Sequence, residues 1–167
     1  MNNLNKQTEL INAVENDMVL QAKRLLADDT DIHVTNENNL PLLVIAIKNG
    51  ASKEMIELLL DEGADVNWKT DEGISLLDEA VERNRLDLVN LFIDRGLDPS
   101  ETSRRSGMTA LMLAACFDYI DMMELLLKRG ADLYAVDESK MGALDYARKL
   151  GRKRAQKWLE DKMSNPF

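Results

Sequence analysis

The chain has 167 residues, of which 45% are apolar and 31% charged, and its formal net charge is −9. That apolar share excludes a disordered chain, the single cysteine, Cys116, excludes an internal disulfide framework, and no apolar run approaches the roughly 18 residues of a membrane span. The acidic balance also disfavours nucleic acid as the main ligand, because phosphate contacts need a basic face.

Aromatic residues are only 5% of the chain, so Leu, Ile, Val, Ala and Met must fill the core. The polar start, Met1 to Leu10, has neither an apolar signal core nor a small-residue cleavage site, which points to a cytoplasmic protein. Charge is uneven. Residues 140–163 carry eight basic and three acidic side chains, so the remainder is strongly acidic. An acidic body has two readings: it suits a basic protein partner and speeds the encounter with it, or it serves solubility alone. A basic last helix complements its own dipole and gives the chain a solvated end.

In chain order, the first apolar run is Leu25-Leu26, followed by Asp31; the second is Leu58-Leu59-Leu60, followed by Gly63-Ala64-Asp65. The third segment begins with a polar loop holding Thr70, Asp71, Glu72 and Gly73. Leu76, Leu77, Ala80 and Val81 then form one helical stripe over 75–83, with Ser75 as N-cap. Asn84 can end that helix in a left-handed conformation. Leu86 to Ile93 forms a second, largely apolar helix that Gly96 terminates. The fourth segment repeats the scheme with Thr109–Ala115, Ile120–Leu127 and Gly130-Ala131-Asp132. The last carries Trp158-Leu159-Glu160 and no such triplet.

Two landmarks share one period. Asp31, Asp65, Asp98 and Asp132 are spaced 34, 33 and 34; Ala13, Ala46, Ala80, Ala114 and Ala147 are spaced 33, 34, 34 and 33. Paired short helices of this length are unstable alone and gain stability by stacking on their neighbours. A stacked repeat array follows, with its function on an extended surface.

Gly107-Met-Thr-Ala-Leu-Met-Leu-Ala114 and the Leu-Leu-Leu-x-x-Gly-Ala-Asp runs at 58–65 and 125–132 resemble the ankyrin repeat family, and Gly63-Ala-Asp-Val-Asn67 matches the usual ending of its repeat. The resemblance implies an all-α, right-curving ankyrin-repeat solenoid of stacked helix-turn-helix units with finger loops. Four full repeats fall near 4–36, 37–69, 70–103 and 104–136. A shortened capping helix pair follows at 137–163, all within one domain over 1–163, and 164–167 form a disordered tail. The first repeat lacks its glycine and has Arg24 where a leucine is usual. The family's signature histidine is replaced by Ile11, Val44, Asp78, Met112 and Asp145, so the usual Thr–His hydrogen bonds are not expected, least of all in repeats two and three. The two 34-residue steps place one extra residue within Asn49–Glu54 and another within Ser100–Ser106.

The chemistry of catalysis is missing from the sequence. His33, the only histidine, falls at a loop edge, and Cys116 falls on a first helix with no base in register. No Cys/His spacing suits zinc, and no glycine-rich loop suits phosphate. Asp61-Glu62-Gly63-Ala-Asp65 lacks calcium-loop spacing. No enzymatic activity, catalytic residue, metal or cofactor is expected. In the family, partners usually meet the finger loops and the exposed side of the first helices. By register these positions hold Trp68, Lys69, Asp71 and Glu72, then Glu82 and Arg83, then Arg104 and Arg105, then Phe117 and Tyr119. Exposed aromatics and arginines dominate interface energy. The expected function is a non-enzymatic, monomeric module binding another protein, of unspecified identity and with a basic one as the candidate, through its concave face and finger loops, with no nucleic acid or membrane ligand. A second reading is an immunity or inhibitor protein that neutralises a basic toxin or enzyme; a third, ranked behind it, is a structural scaffold fragment.

Overall fold

The computed structural model describes residues 3–165. Among them lie ten helices: α1 (Asn3–Glu15), α2 (Val19–Ala27), α3 (Leu42–Lys48), α4 (Lys53–Asp61), α5 (Leu76–Glu82), α6 (Leu86–Asp94), α7 (Ala110–Cys116), α8 (Ile120–Lys128), α9 (Ala143–Lys149) and α10 (Lys153–Ser164). They pair as five helical hairpins, and the only β-pairing described is two isolated bridges, Thr35 with Pro41 and Lys69 with Ser75. The chain divides into two units, one up to Val66 and one from Asn67 onward.

In the first unit α1 packs on α2 and α3, and α4 packs on α2 and α3. The α3 run Leu42 to Ile47 is buried at every position, and Leu10, Ala13, Ala22, Met55, Ile56 and Leu59 complete the core. In the second unit α7 packs on α5, α8 and α9, while α10 closes on α8 and α9. Phe92, Leu76, Leu88, Leu111 and Met122 are fully or almost fully buried there. The periodic alanines Ala13, Ala46, Ala80, Ala114 and Ala147 are all fully buried, so a side chain no larger than a methyl group sits where neighbouring helices meet.

The periodicity extends to the backbone. Every described residue with positive φ falls in one of three registers. Asp17, Gly50, Asn84, Asp118 and Gly151 turn the chain between the two helices of a hairpin. Asp29, Gly63, Gly96 and Gly130 end the second helices. Asn39, Gly73, Gly107 and Lys140 turn the loops that lead into the next hairpin. Left-handed backbone favours Gly, Asn and Asp, which explains most of these positions. Asp29, with φ of 55°, takes the place of the glycine that the first repeat lacks.

Both extra residues are visible. The turn between α3 and α4 spans 49–52, four residues, whereas 16–18, 83–85, 117–119 and 150–152 span three. The added position lets Ser52 cap α4, its hydroxyl accepting from Met55 N, while its N and Oγ donate to Asp17 Oδ1 at 3.0 and 2.9 Å. The loop 95–109 is likewise one residue longer than 62–75 and 129–142. Side chains lash successive outer helices too: Arg129, just after α8, donates to Asn90 Oδ1 at 2.9 Å and to Asp94 Oδ1 at 2.5 Å.

In repeat three Ser75 is the N-cap expected from the sequence, and a different pair takes the place of the family's Thr–His hydrogen bonds. Asp78 replaces the signature histidine and closes a reciprocal cap: Ser75 N donates to Asp78 Oδ2 at 2.9 Å and Asp78 N donates to Ser75 Oγ at 3.2 Å. In repeat two Pro41 occupies the cap position without a side-chain bond. At the C-terminal end α10 includes Ser164, and Asn165 N bonds to Asp161 O at 3.0 Å, so the helix enters the segment expected to be a tail. The last two positions of that tail, 166 and 167, lie outside the described residues.

Candidate protein-binding surface

The finger loops of the second unit are built from turn chemistry upward. Thr70 Oγ1 accepts from Ile74 N at 3.1 Å, Thr70 N donates to Ile74 O at 3.0 Å, and Gly73 takes φ of 82° between them. The next finger repeats the turn at Gly107 and the third at Lys140, where Asp137 Oδ1 accepts from Ser139 N and Met141 N at 2.8 and 2.9 Å. Successive fingers are stitched together. Ser103 Oγ donates to Gly73 O at 2.7 Å, Arg105 N donates to Glu72 O at 3.3 Å, and Glu138 N donates to Ser106 O at 3.0 Å. The approach is so close at Gly73 that a Cβ there would lie 1.8 Å from Ser103 O. Only glycine fits that position.

Arg104 runs from its finger onto α5. Its Nε lies 3.3 Å from Asp78 Oδ1 and a terminal nitrogen donates to Glu82 Oε1, also at 3.3 Å. The Nε–H is not aligned on an acceptor, so its pairing with Asp78 is ionic rather than a formed hydrogen bond. Asp78 is 5% exposed, and Arg104 supplies its counter-charge. Arg83 turns back along its own helix, donating to Glu79 Oε2 at 2.6 Å and to Glu79 O at 3.1 Å.

The residues singled out by register thus fall into distinct settings. Lys69, Asp71, Glu72 and Arg105 are exposed on the fingers, and Trp68 is half-buried beside them. Glu82 and Arg104 are brought together, while Arg83 is engaged with Glu79. Phe117 and Tyr119 flank the turn after α7 and stack on each other, with ring centroids 5.3 Å apart and planes inclined by 17°.

Sequence reasoning passed over Tyr146 and Asp137. Tyr146 Oη donates to Asp137 Oδ2 at 2.5 Å, tying α9 to the base of its finger. That bond, with some burial, pushes the Tyr146 phenol up to about 12 and, together with the backbone donors of Met141 and Ser139, holds the Asp137 carboxyl low. The signal was present in the register. Asn36, Thr70, Arg104 and Asp137 occupy equivalent positions, and the three with side-chain oxygens cap their own turns. In Arg104's finger, Ser106 Oγ accepts from Met108 N at 3.3 Å and Thr102 Oγ1 donates to Met108 O at 2.6 Å, which leaves Arg104 to reach across to α5.

Cys116 is half-buried, and burial pushes its thiol up, away from the thiolate that a nucleophile needs. His33 is exposed, and its backbone N–H donates to Asp31 Oδ1 at 2.9 Å. Among the described residues no three His, Cys, Asp or Glu side chains are placed to hold a metal ion. None of their helices is long and apolar enough to cross a membrane. The arrangement offers an extended surface of charged and aromatic side chains on loops fixed by hydrogen bonds.

A family profile described as ankyrin repeats (3 copies) matches residues 10–103 and again 77–166. Ankyrin repeat protein FPV014 of Fowlpox virus is 32% identical over 125 residues, 74% of this chain and 28% of the viral protein. The E3 ubiquitin-protein ligase hecd-1 of Caenorhabditis elegans is 33% identical over 106 residues, 64% of this chain and 4% of the ligase. Ankyrin repeat protein R664 of Acanthamoeba polyphaga mimivirus is 28% identical over 96 residues, 57% of this chain and 59% of that protein. The chain therefore spans between 4% and 59% of the length of these relatives.

Proposed function

The chain belongs to the ankyrin repeat family, whose repeats generally serve as protein–protein interaction modules, and on that premise we propose that it binds a basic partner protein non-covalently through its finger loops and inner helix ends. It works in this reading as a cytoplasmic monomer without enzymatic activity. Lys69, Asp71, Glu72 and Arg105 make the outer contacts, and Trp68 supplies the aromatic anchor. Glu82, Arg83 and Arg104 line the helix ends behind the fingers, with Phe117 and Tyr119 at the far edge of the same surface.

The observation that carries this reading is the stitching of the fingers. Ser103 Oγ to Gly73 O and Arg105 N to Glu72 O fix the loop that bears Asp71 and Glu72 before any partner arrives. A surface ordered in advance loses little entropy on binding. Arg104 and Arg83 are neutralised by acids of this chain, and on the fingers Lys69 and Arg105 balance Asp71 and Glu72, so the sign met by an approaching partner is that of the chain as a whole, which is negative. With a net charge of −9, that sign favours a positive partner and fast encounter. A toxin or enzyme neutralised by this chain is the narrower form of the same reading.

Affinity capture from the native host at low and high salt tests it. A basic protein retained at low salt, released at high salt, and lost on Trp68→Ala and on Asp71→Lys with Glu72→Lys is the expected result. Equal capture by all variants, indifferent to salt, would overturn the assignment.

A further inference from the structure

The turn between α9 and α10 has a charge opposite to the rest of the chain. Arg148, Lys149, Arg152, Lys153 and Arg154 fall within seven residues that contain no acid, and all five are exposed. Two have internal work: Arg148 pairs with Glu160 at 2.9 Å, and Arg152 Nε donates to Cys116 O at 2.6 Å. Lys149 lies near enough to Asp137 to help hold its carboxyl low. Lys153 and Arg154 need another explanation, and helix stability does not provide it. A basic residue complements the dipole at a helix C-terminus, as Lys162 does in the last turn of α10. Lys153 and Arg154 sit in the first turn, behind an N-cap Arg152 that makes no side-chain cap bond. There they oppose the dipole. The sequence expectation of a complementary basic helix is corrected for these two residues.

Beside this turn lies the turn after α7. Ala155 N donates to Asp118 Oδ1 at 2.6 Å, and with the Arg152 bond this holds the two turns side by side. The stacked Phe117 and Tyr119 therefore neighbour the basic turn. Phe117 is 42% exposed, and Leu150, at the same register one repeat later, is 46% exposed. Asp118 is taken up in capping α10, and Lys153 and Arg154 form no ion pair among the described residues; apolar side chains left in water beside such cations are the two halves of one recognition surface.

We propose that the adjoining turns 117–119 and 149–154 form a second docking surface, which takes an acidic protein segment carrying an apolar or aromatic anchor. Carboxylates of that segment pair with Lys153, Arg154 and Lys149. Its anchor rests on Phe117, Tyr119 and Leu150, where aromatic packing supplies most of the affinity. A short segment fits better than an extended polyanion, because an extended polyanion would leave this patch and meet the acidic remainder of the chain. The surface shares Phe117 and Tyr119 with the one proposed above but prefers the opposite charge and adds different cations.

The test uses the full chain and a fluorescein-labelled synthetic peptide of aspartates and glutamates around one Phe-Leu pair, read by fluorescence anisotropy at low salt. Saturable binding is expected. Lys153→Glu with Arg154→Glu should weaken it about ten-fold or more, and Phe117→Ala or a peptide with Ala-Ala in place of Phe-Leu about five-fold. Trp68→Ala, which removes the aromatic anchor of the other proposed site without changing the chain's charge, should leave it unchanged, so failure of one reading is separable from failure of the other. The doubly reversed variant should melt no lower than the parent, since it relieves the clash with the dipole. Three results overturn the proposal. One is no saturable binding. Another is a heparin fragment binding as tightly as the peptide, with no loss on removing the Phe-Leu pair. The third is concentration-dependent self-association in sedimentation that Lys153→Glu with Arg154→Glu abolishes, which would make a second copy of the chain the occupant.

Discussion

Replacing Gly73 by alanine should cost far more stability than replacing Gly96, although both residues have positive φ, 82° and 104°. At Gly96 the added methyl meets open space. Only the left-handed backbone is then penalised, by about 1–2 kcal/mol, and roughly 0.4–1 kcal/mol of that is offset by the stiffer unfolded chain. At Gly73 the methyl carbon would lie 1.8 Å from Ser103 O, 2.4 Å from Ser103 C and 2.9 Å from Arg104 N, all backbone atoms that cannot swing aside. Normal contact needs more than an ångström of separation, enough to break Ser103 Oγ to Gly73 O and Arg105 N to Glu72 O. Each bond contributes about 1 kcal/mol, so Gly73→Ala should cost about 2 kcal/mol beyond Gly96→Ala. Urea denaturation at 25 °C measures both variants, with an unchanged m-value as the check that the unfolding reaction is the same. Equal midpoints for the two alanine variants would show that the fingers are not joined at this point, and the preorganisation argued for the binding surface would fall with them.

Three further outcomes follow from the same geometry. Arg104→Met should destabilise the chain by about 2 kcal/mol, because it strips the counter-charge from the buried Asp78 while leaving the Ser75 bonds to that carboxylate intact; a cost near zero in the same urea assay would mean that the guanidinium is solvated instead. Lys140→Gly should stabilise it by about 0.5–1 kcal/mol, since φ of 62° strains a lysine and suits glycine; a loss of stability would show that the Lys140 side chain has a structural role. Tyr146→Phe should change the pH profile at both ends. The parent's bond stabilises the fold fully below the ordinary tyrosine value near 10 and is lost as pH rises through about 12. At the acid end the lowered Asp137 carboxyl contributes above the ordinary carboxylate range, and this is lost as pH falls through its depressed value. Thermal melts of parent and variant should therefore differ most at neutral pH and converge beyond both limits; a constant difference would refute the pairing.

Legibility in the sequence tracked how many chemical solutions a position admits. Asn84 and Gly96 could be read as left-handed because few residues tolerate that backbone, and both have positive φ. Asp17, Asp29 and Asp118 hold equivalent positions but are common on any acidic surface, and Lys140 is a residue that propensity argues against there. Only the 33- or 34-residue register would have exposed them. The extra residue near Ser52 was readable as a spacing anomaly, whereas its use, capping α4 and binding Asp17, depends on a neighbouring repeat. Arg104 shows the limit most clearly. Its residue type and loop position argued for an exposed hot spot, but it reaches across 26 residues to Asp78, which in turn fills the place of a missing histidine. Two departures from the family pattern complement each other, and neither is informative alone. The weak legibility of the basic turn had a different cause: composition gave the sign of the last segment but not which end of α10 its charges occupied.

Every side-chain hydrogen bond named above joins residues no more than 39 apart, the span from Arg129 back to Asn90. Such short bridges leave little chain to be closed before a contact forms, so the search for the native arrangement is local and assembly can begin at any hairpin and spread outward. Damage should stay local as well: a residue lost in one hairpin weakens its immediate neighbours while distant hairpins keep their protection from hydrogen exchange.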